Sequence, residues 1–225
     1  MTFRQAQKHG GHIKRGEKAT YIVFSDRKVR EVEKEDGTKE KKVYCFIKSF
    51  PVFNWDQTEG VPRKETGPAL DPDRDLIEVC NSILSGMPMP PAYRESGSSA
   101  YYIPKEDLVN LPPIETFKTT EGYLATKFHE YAHSTGHRTR LNRTGVMGIA
   151  AFGSEDYGFE ELVAELTSAY LCASNGIDNT LENSTAYLQN WLGVLRNDKT
   201  MLLKASGKAT AAVEYILGDR STKAT

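Results

Sequence analysis

Three of the chain's five histidines fall within nine positions, in FHEYAHSTGH, Phe128 to His137. His129 and His133 stand four apart, and Glu130 directly follows the first. On a helix, positions four apart share one face, so both imidazoles reach a single ion without distorting the backbone. Imidazole nitrogen suits zinc, and a catalytic zinc commonly keeps three protein ligands and a water. Glu130 is placed to take that water's proton and hand it to a leaving group. The ion would lower the water's pKa to about 7 and polarise a carbonyl. A chance match made of core histidines is the competing reading. A capped helix and an available third ligand downstream weigh against it.

The third ligand is read by elimination. The pattern HExxHxxGxxH would place a histidine at position 139, which is Thr139, although Gly136 fits its glycine. His137 lies one turn beyond His133, but Gly136 breaks the helix before it. The stretch EDYGFEELVAELTSAYL offers Glu161 and Glu165, again four apart. Glu161 is read as the ligand and Glu165 as an outer carboxylate supporting a ligand histidine; the reverse assignment stays open. An exposed acidic face is the alternative, and Glu155 and Glu160 are read that way. Leu162, Ala164, Leu166 and Ala169 make the helix largely buried, where spare carboxylates are costly. Tyr157, His137 and Tyr170 are candidate donors to an oxyanion, and the sequence does not choose among them.

These residues need helices to carry them. Thr119 or Thr120 caps a helix running to about Ser134, and Ser154 or Glu155 begins a long helix to Asn175, stopped by Gly176. Two further helices are expected, over 184–196 and 198–217. Upstream, a helix at Asp75 to Leu84 is capped by Asp73, with Leu76, Val79, Cys80, Ile83 and Leu84 on one face. SAYYIPKEDLVNLPP reads as a hairpin, Ala100 to Ile103 and Leu108 to Leu111. The N-terminal part is β-rich after a short helix, Phe3 to Lys8, capped by Thr2. A strand over Thr20 to Phe24, an Asp36-Gly37 turn and a returning strand over Val43 to Ile47 make a hairpin. The polar, Gly- and Pro-containing run 57–72 reads as a linker. The expected fold is α+β: a small β-rich module over 1–65, then a helix-dominated zincin-like domain with a minor sheet over 66–225.

Composition is that of an ordinary globular protein, 39% hydrophobic and 26% charged. No apolar run is long enough for a membrane helix, and no secretory leader opens the chain. Cys45, Cys80 and Cys172 are odd in number and widely spaced, which fits free thiols in a cytoplasmic protein. The net charge of -1 conceals an asymmetry. Residues 1–65 hold 15 Lys/Arg against 10 Asp/Glu, and the remainder holds 14 against 20. The basic part nominates an anionic partner. Lys14, Arg15 and Lys18 surround the Gly16 turn, Lys41 and Lys42 flank Tyr44, and Phe53 and Trp55 follow. Cations interleaved with aromatics suit single-stranded nucleic acid, although strand aromatics also make cores and lysine-rich hairpins also make solvated edges.

The stretches MTFRQAQKHGGHIKRGEKAT, FHEYAHSTGHRTRLNR, FGSEDYGFEELVAELTSAYLC and YLQNWLGVLRNDK occur in this order, and the chain resembles the ArdC-type antirestriction proteins of conjugative plasmids. The resemblance implies an N-terminal single-stranded-DNA-binding domain and a C-terminal zincin-like metallopeptidase domain. It implies His129 and His133 as metal ligands, Glu130 as the catalytic carboxylate and Glu161 as third ligand. One Zn2+, or another divalent metal, is the expected cofactor. Single-stranded DNA, a protein or peptide substrate and the restriction machinery are the expected partners, and no membrane is. In that family MTFRQA follows a helical portion, so a shortened DNA-binding part is expected here. Two other readings remain: a metalloprotease whose N-terminal module binds protein, and a DNA-binding protein with a non-catalytic metal site.

Overall fold

The computed structural model describes residues 1–33, 38–63, 74–147, 155–177 and 200–218, and of residues 25–27, 42, 43, 45 and 155–157 the backbone only. The chain divides into two compact units, Met1–Ala69 and Leu70–Thr225. Its class is the expected α+β, with strands first and a helix-rich part with a minor sheet after them.

The first unit opens with α1 (Phe3–Lys8). Thr2 and Gln5 cap it reciprocally, each side chain taking the other's backbone N–H. Ala6 of α1 packs with Ile13 and Phe53, and Phe3 stands edge-on to Phe53 at 4.7 Å. The short strands β1 (His12–Ile13) and β4 (Thr58–Glu59) pair antiparallel, so the expected linker begins only after a strand. Gly11 lets them meet: a Cβ there would fall 2.4 Å from the Glu59 carbonyl oxygen. Between them run β2 (Thr20–Glu33) and β3 (Lys39–Val52), an antiparallel ribbon far longer than the expected strands. The Asp36-Gly37 turn and residues 64–72 of the linker lie outside the described residues.

In the second unit, α2 (Leu76–Ser85) is capped by Asp75, whose carboxylate accepts from the Ile77 and Glu78 N–H groups. That corrects Asp73. The minor sheet has three strands in the order β5-β7-β6: β5 (Ala92–Glu95), β6 (Tyr101–Ile103) and β7 (Leu108–Leu111). β6 and β7 form the expected hairpin. β5 was not foreseen, because it pairs parallel to β7 and no turn signal links the two. Then follow α3 (Thr120–Ser134), the short α4 (Thr144–Met147), α5 (Glu155–Ser174) and α6 (Met201–Leu217). The expected helix over 184–196 lies outside the described residues. Leu124 and Phe128 of α3, Leu171 of α5, Ile216 of α6 and Leu111 of β7 share one core with the apolar face of α2. Cys80 and Cys172 are buried in it as free thiols. Among the described residues no helix is long and apolar enough to cross a membrane.

The β6–β7 turn is tied to the end of α3 by one buried guanidinium. Arg140 donates to the Ser134 and Met89 carbonyls at 2.7 and 2.9 Å and to both carboxylate oxygens of Asp107. Asp107 has φ 49°, which Asp and Asn tolerate. Burial pushes its carboxyl up, but donation by Arg140 and the Tyr102 hydroxyl outweighs this and holds it below the usual range. A depressed carboxyl stabilises the fold above its unfolded value, about 3.9, and that contribution fades as pH falls through the folded value. Asp107→Asn keeps the turn and removes the charge. It should cost about 1–2 kcal/mol at pH 7 in urea unfolding, with the deficit shrinking below about pH 4; a deficit independent of pH would contradict this.

Candidate metal centre

The site lies where α3 packs on α5. Thr119 starts α3, its hydroxyl accepting from the Gly122 N–H at 3.1 Å. Phe128, Leu124 and Ala132 are fully buried and fix the helix rotation. The adjoining stripe then presents His129 and His133 to α5. On α5, Leu162, Val163 and Ala164 are likewise fully buried. Glu161 and Glu165 are brought to the histidines from that side.

The two Nε2 atoms stand 3.1 Å apart. Glu161 faces both: its Oε2 lies 3.5 Å from Nε2 of His129 and its Oε1 3.4 Å from Nε2 of His133. Ligands about 2.0–2.1 Å from a tetrahedral zinc stand about 3.3 Å from one another, so the three donor groups are spaced like an edge-sharing set around one ion. Among the described residues this trio is the only His/Cys/Asp/Glu group so spaced. The opposite ring nitrogens meet carboxylates as well. Nδ1 of His129 lies 3.3 Å from Oε1 of Glu165, and Nδ1 of His133 lies 3.4 Å from Oε1 of Glu160. A carboxylate at Nδ1 keeps the proton there and leaves Nε2 as the lone-pair donor.

Glu160 corrects the reading of an exposed acidic face, since it is only 4% exposed. Arg143, also buried, grips both its oxygens at 2.6 and 2.9 Å. The same guanidinium donates to the Thr135 hydroxyl at 2.6 Å and to the Ala132 carbonyl at 2.8 Å. Gly136 makes room for it: a Cβ there would sit 3.1 Å from the guanidinium and 2.4 Å from a Val146 methyl. Neither residue carried a signal in the sequence, because their partnership joins a loop to a helix seventeen positions later.

Charge in this cleft is mutually held. Burial pushes both imidazoles down, but Glu161 with Glu165 for His129, and Glu160 with Glu161 for His133, raise them above the usual histidine value. The same contacts hold Glu161 well below the carboxylate range against its burial. Glu130 goes the other way, its carboxyl raised by burial. It is 8% exposed and lines the cavity, of about 360 Å³, that His129, His133 and Glu161 also line. Tyr101 and Tyr102 of the edge strand β6 and Gly145 and Val146 of α4 close its other sides. Of the candidate oxyanion donors, the Tyr157 side chain lies outside the description. His137 contacts Thr139 at 2.8 Å and Tyr170 contacts Ser206 at 3.0 Å, and neither lines the cavity.

The N-terminal candidates are dispersed. Phe53 is 4% exposed, so its ring belongs to the small core and is not offered to a base. The Trp55 indole N–H donates to the Pro62 carbonyl at 3.3 Å, and Lys14 to the Asp56 carbonyl at 2.8 Å. Arg15 and Lys18 are exposed near the Gly16 turn, and Lys41 and Tyr44 are exposed on β3. The Lys42 side chain is outside the description.

Zincin-like metallopeptidases match residues 90–208, and the N-terminal domain of anti-restriction factor ArdC matches residues 1–53. The crystal structure of antirestriction protein ArdC from plasmid R388, in its metal-free form, is 34% identical and superposes with a TM-score of 0.67, covering 100% of this chain and 78% of that one. Its Mn(II)-bound structure gives 35% and 0.61, covering 96% and 75%. Protein y4eC of Sinorhizobium fredii (strain NBRC 101917 / NGR234) is 29% identical over 98% of this chain and 71% of its own. A DNA primase TraC of Escherichia coli is 31% identical over 96% of this chain, which spans only 16% of that relative.

Removing one member of the buried Arg143–Glu160 pair strands the other. Arg143→Ala should destabilise the second unit by about 3–5 kcal/mol in chemical denaturation. The double change Arg143→Met with Glu160→Gln should recover most of it, and equal losses in single and double variants would contradict the pairing.

Proposed function

This chain belongs to the ArdC antirestriction family, with its zincin-like metallopeptidase domain, and we propose that it hydrolyses a peptide bond at a His129–His133–Glu161 metal site and binds single-stranded DNA through its N-terminal unit. The observation that carries the hydrolytic reading is the convergence of two Nε2 atoms and one carboxylate within 3.1–3.5 Å of each other, beside the separate carboxylate of Glu130.

A divalent cation bound there would supply Lewis acidity toward a carbonyl oxygen and toward water. Two imidazoles and a carboxylate suit zinc, and manganese is served by the same nitrogen and oxygen donors less tightly. The Mn(II)-bound structure of the R388 relative supports a divalent ion. Glu160 and Glu165 orient the rings. Glu130 accepts a proton from water as the C–O bond forms, then gives it to the amine nitrogen as the C–N bond breaks. Its carboxyl, raised by burial, is a better proton carrier near neutral pH than an ordinary glutamate. Among the described residues β6 lies at the sheet edge, and it lines the cavity, so its outer main-chain edge suits an extended peptide. The match of 1–53 to the ArdC N-terminal domain supports the DNA-binding half. In a bacterium receiving foreign DNA, such a protein would shield that DNA from host restriction.

Calorimetric titration should find one tight equivalent of Zn2+ or Mn2+, lost in His133→Ala. Glu130→Gln should retain the ion and lose about 10²–10⁴ in turnover of a quenched-fluorescent peptide library. Retention of a tight equivalent by His133→Ala would place the metal elsewhere. Loss of the ion in Glu130→Gln would make Glu130 a ligand and end its assignment as proton carrier.

A further inference from the structure

β2 and β3 pair without a bulge from Thr20↔Val52 to Glu33↔Lys39. Residues directly opposite share a face, and so do alternate residues along each strand. The even-numbered residues of both strands therefore make one face of the ribbon and the odd-numbered residues the other. The two faces differ in chemistry.

The even face carries Phe24 opposite Lys48 and Lys28 opposite Tyr44, with Phe46 between the two pairs. The ammonium groups of Lys28 and Lys48 each lie 5.5 Å from the Phe46 ring centroid, which puts all three side chains on this face. Arg30 continues the row past Lys28, and Phe50 continues it past Lys48. Phe24 is 51% exposed, Tyr44 47% and Phe50 39%. Glu40, at the far end opposite Val32, is the carboxylate among this face's described side chains, and Asp26 falls in the same register. The odd face exposes Val23, Val29 and Ile47, with one ring, Tyr21, at its end opposite Pro51. Its charges alternate in sign across the ribbon, Glu31 opposite Lys41 and Glu33 opposite Lys39. The even face, which also exposes Ile22, gathers three exposed rings with Lys28, Arg30 and Lys48, whereas the odd face has one exposed ring and pairs its described charges with opposite ones.

We infer that the even-numbered face of the β2–β3 ribbon is the stacking platform for single-stranded DNA, with Phe24, Tyr44 and Phe50 under the bases and Lys28, Arg30 and Lys48 against the phosphates. The inference rests on the DNA-binding half of the function proposed above, and it moves that contact from Phe53, Trp55 and the Gly16 turn to the ribbon. A single strand presents both an unstacked π-face and a phosphate row, and the even face answers both. A duplex hides its base faces, so its phosphates could use only the cations.

The test is fluorescence anisotropy of the intact chain with a labelled oligo-dT of about 16 nucleotides, across a salt series. Phe24→Ala and Tyr44→Ala should each weaken binding about tenfold, while Tyr44→Phe should not. The odd-face controls Val23→Ala and Ile47→Ala, which perturb the ribbon equally, should change affinity less than twofold. The pair Lys28→Ala with Lys48→Ala should flatten the slope of log affinity against log salt by about 1.4. Equal losses from both faces, losses from the odd face alone, or equal affinity for a duplex of the same length would overturn the platform. If the unaltered chain fails to bind oligo-dT even at low salt, the DNA-binding reading itself falls, which is a separate result.

Discussion

Everything at the metal centre depends on four carboxylates, two imidazoles and one guanidinium being enclosed where α3 meets α5 and its flanking loop. Isolated, each would be too costly to bury. Together they hold one another: the carboxylates raise the imidazoles, and Arg143 and the imidazoles keep Glu160 and Glu161 below the usual carboxylate range. With every carboxylate ionised, Arg143 answers one of Glu130, Glu160, Glu161 and Glu165. A divalent ion between two neutral imidazoles would answer two more. The carboxylates that raise the imidazoles are the ones that would orient them toward an ion.

That constraint explains which parts of the site were legible. HExxH is readable because its logic is local: a four-residue spacing on one helix fixes two rings relative to each other. Glu161 and Glu165 were visible as a pair for the same reason, but their division of labour was not. It depends on how far α5 slides along α3, which is set by Phe128, Leu162 and their neighbours. The structure puts Glu161 at both Nε2 atoms and Glu165 at one Nδ1. Glu160 was misread because an acidic residue beside a ligand looks like solvated surface until its counterion is found. Arg143 sits in a stretch with no periodicity, and only the chain's return over Gly136 brings it home.

The same distinction runs through the fold. Caps and long amphipathic helices were readable to within a residue or two, and the shift from Asp73 to Asp75 is a matter of which carboxylate reaches the first turn. β5 escaped because parallel pairing leaves no turn between partners. The ribbon was underestimated for a different reason. Its strands run on through charged residues that contribute no burial pattern, so the sequence shows only the short apolar stretches near Thr20–Phe24 and Val43–Ile47. Continuous register carries the pairing outward from them.

The ribbon and the cleft handle charge in opposite ways. In the cleft Glu160, Glu161 and Glu165 each face an imidazole or a guanidinium of the same fold. On the even face of the ribbon Lys28, Lys48 and Arg30 lie along one row, and two of them rest on a ring. A ring attracts a cation through its quadrupole without cancelling the charge. The neighbouring cations therefore still repel, and a two-stranded ribbon has little burial to set against that. An anionic strand laid along the row would relieve the repulsion and cover the exposed rings in one step, and whatever binds the folded form alone also stabilises it. Lys28, Arg30 and Lys48 are part of the cation excess over residues 1–65, while four carboxylates of the acidic remainder are gathered where α3 meets α5.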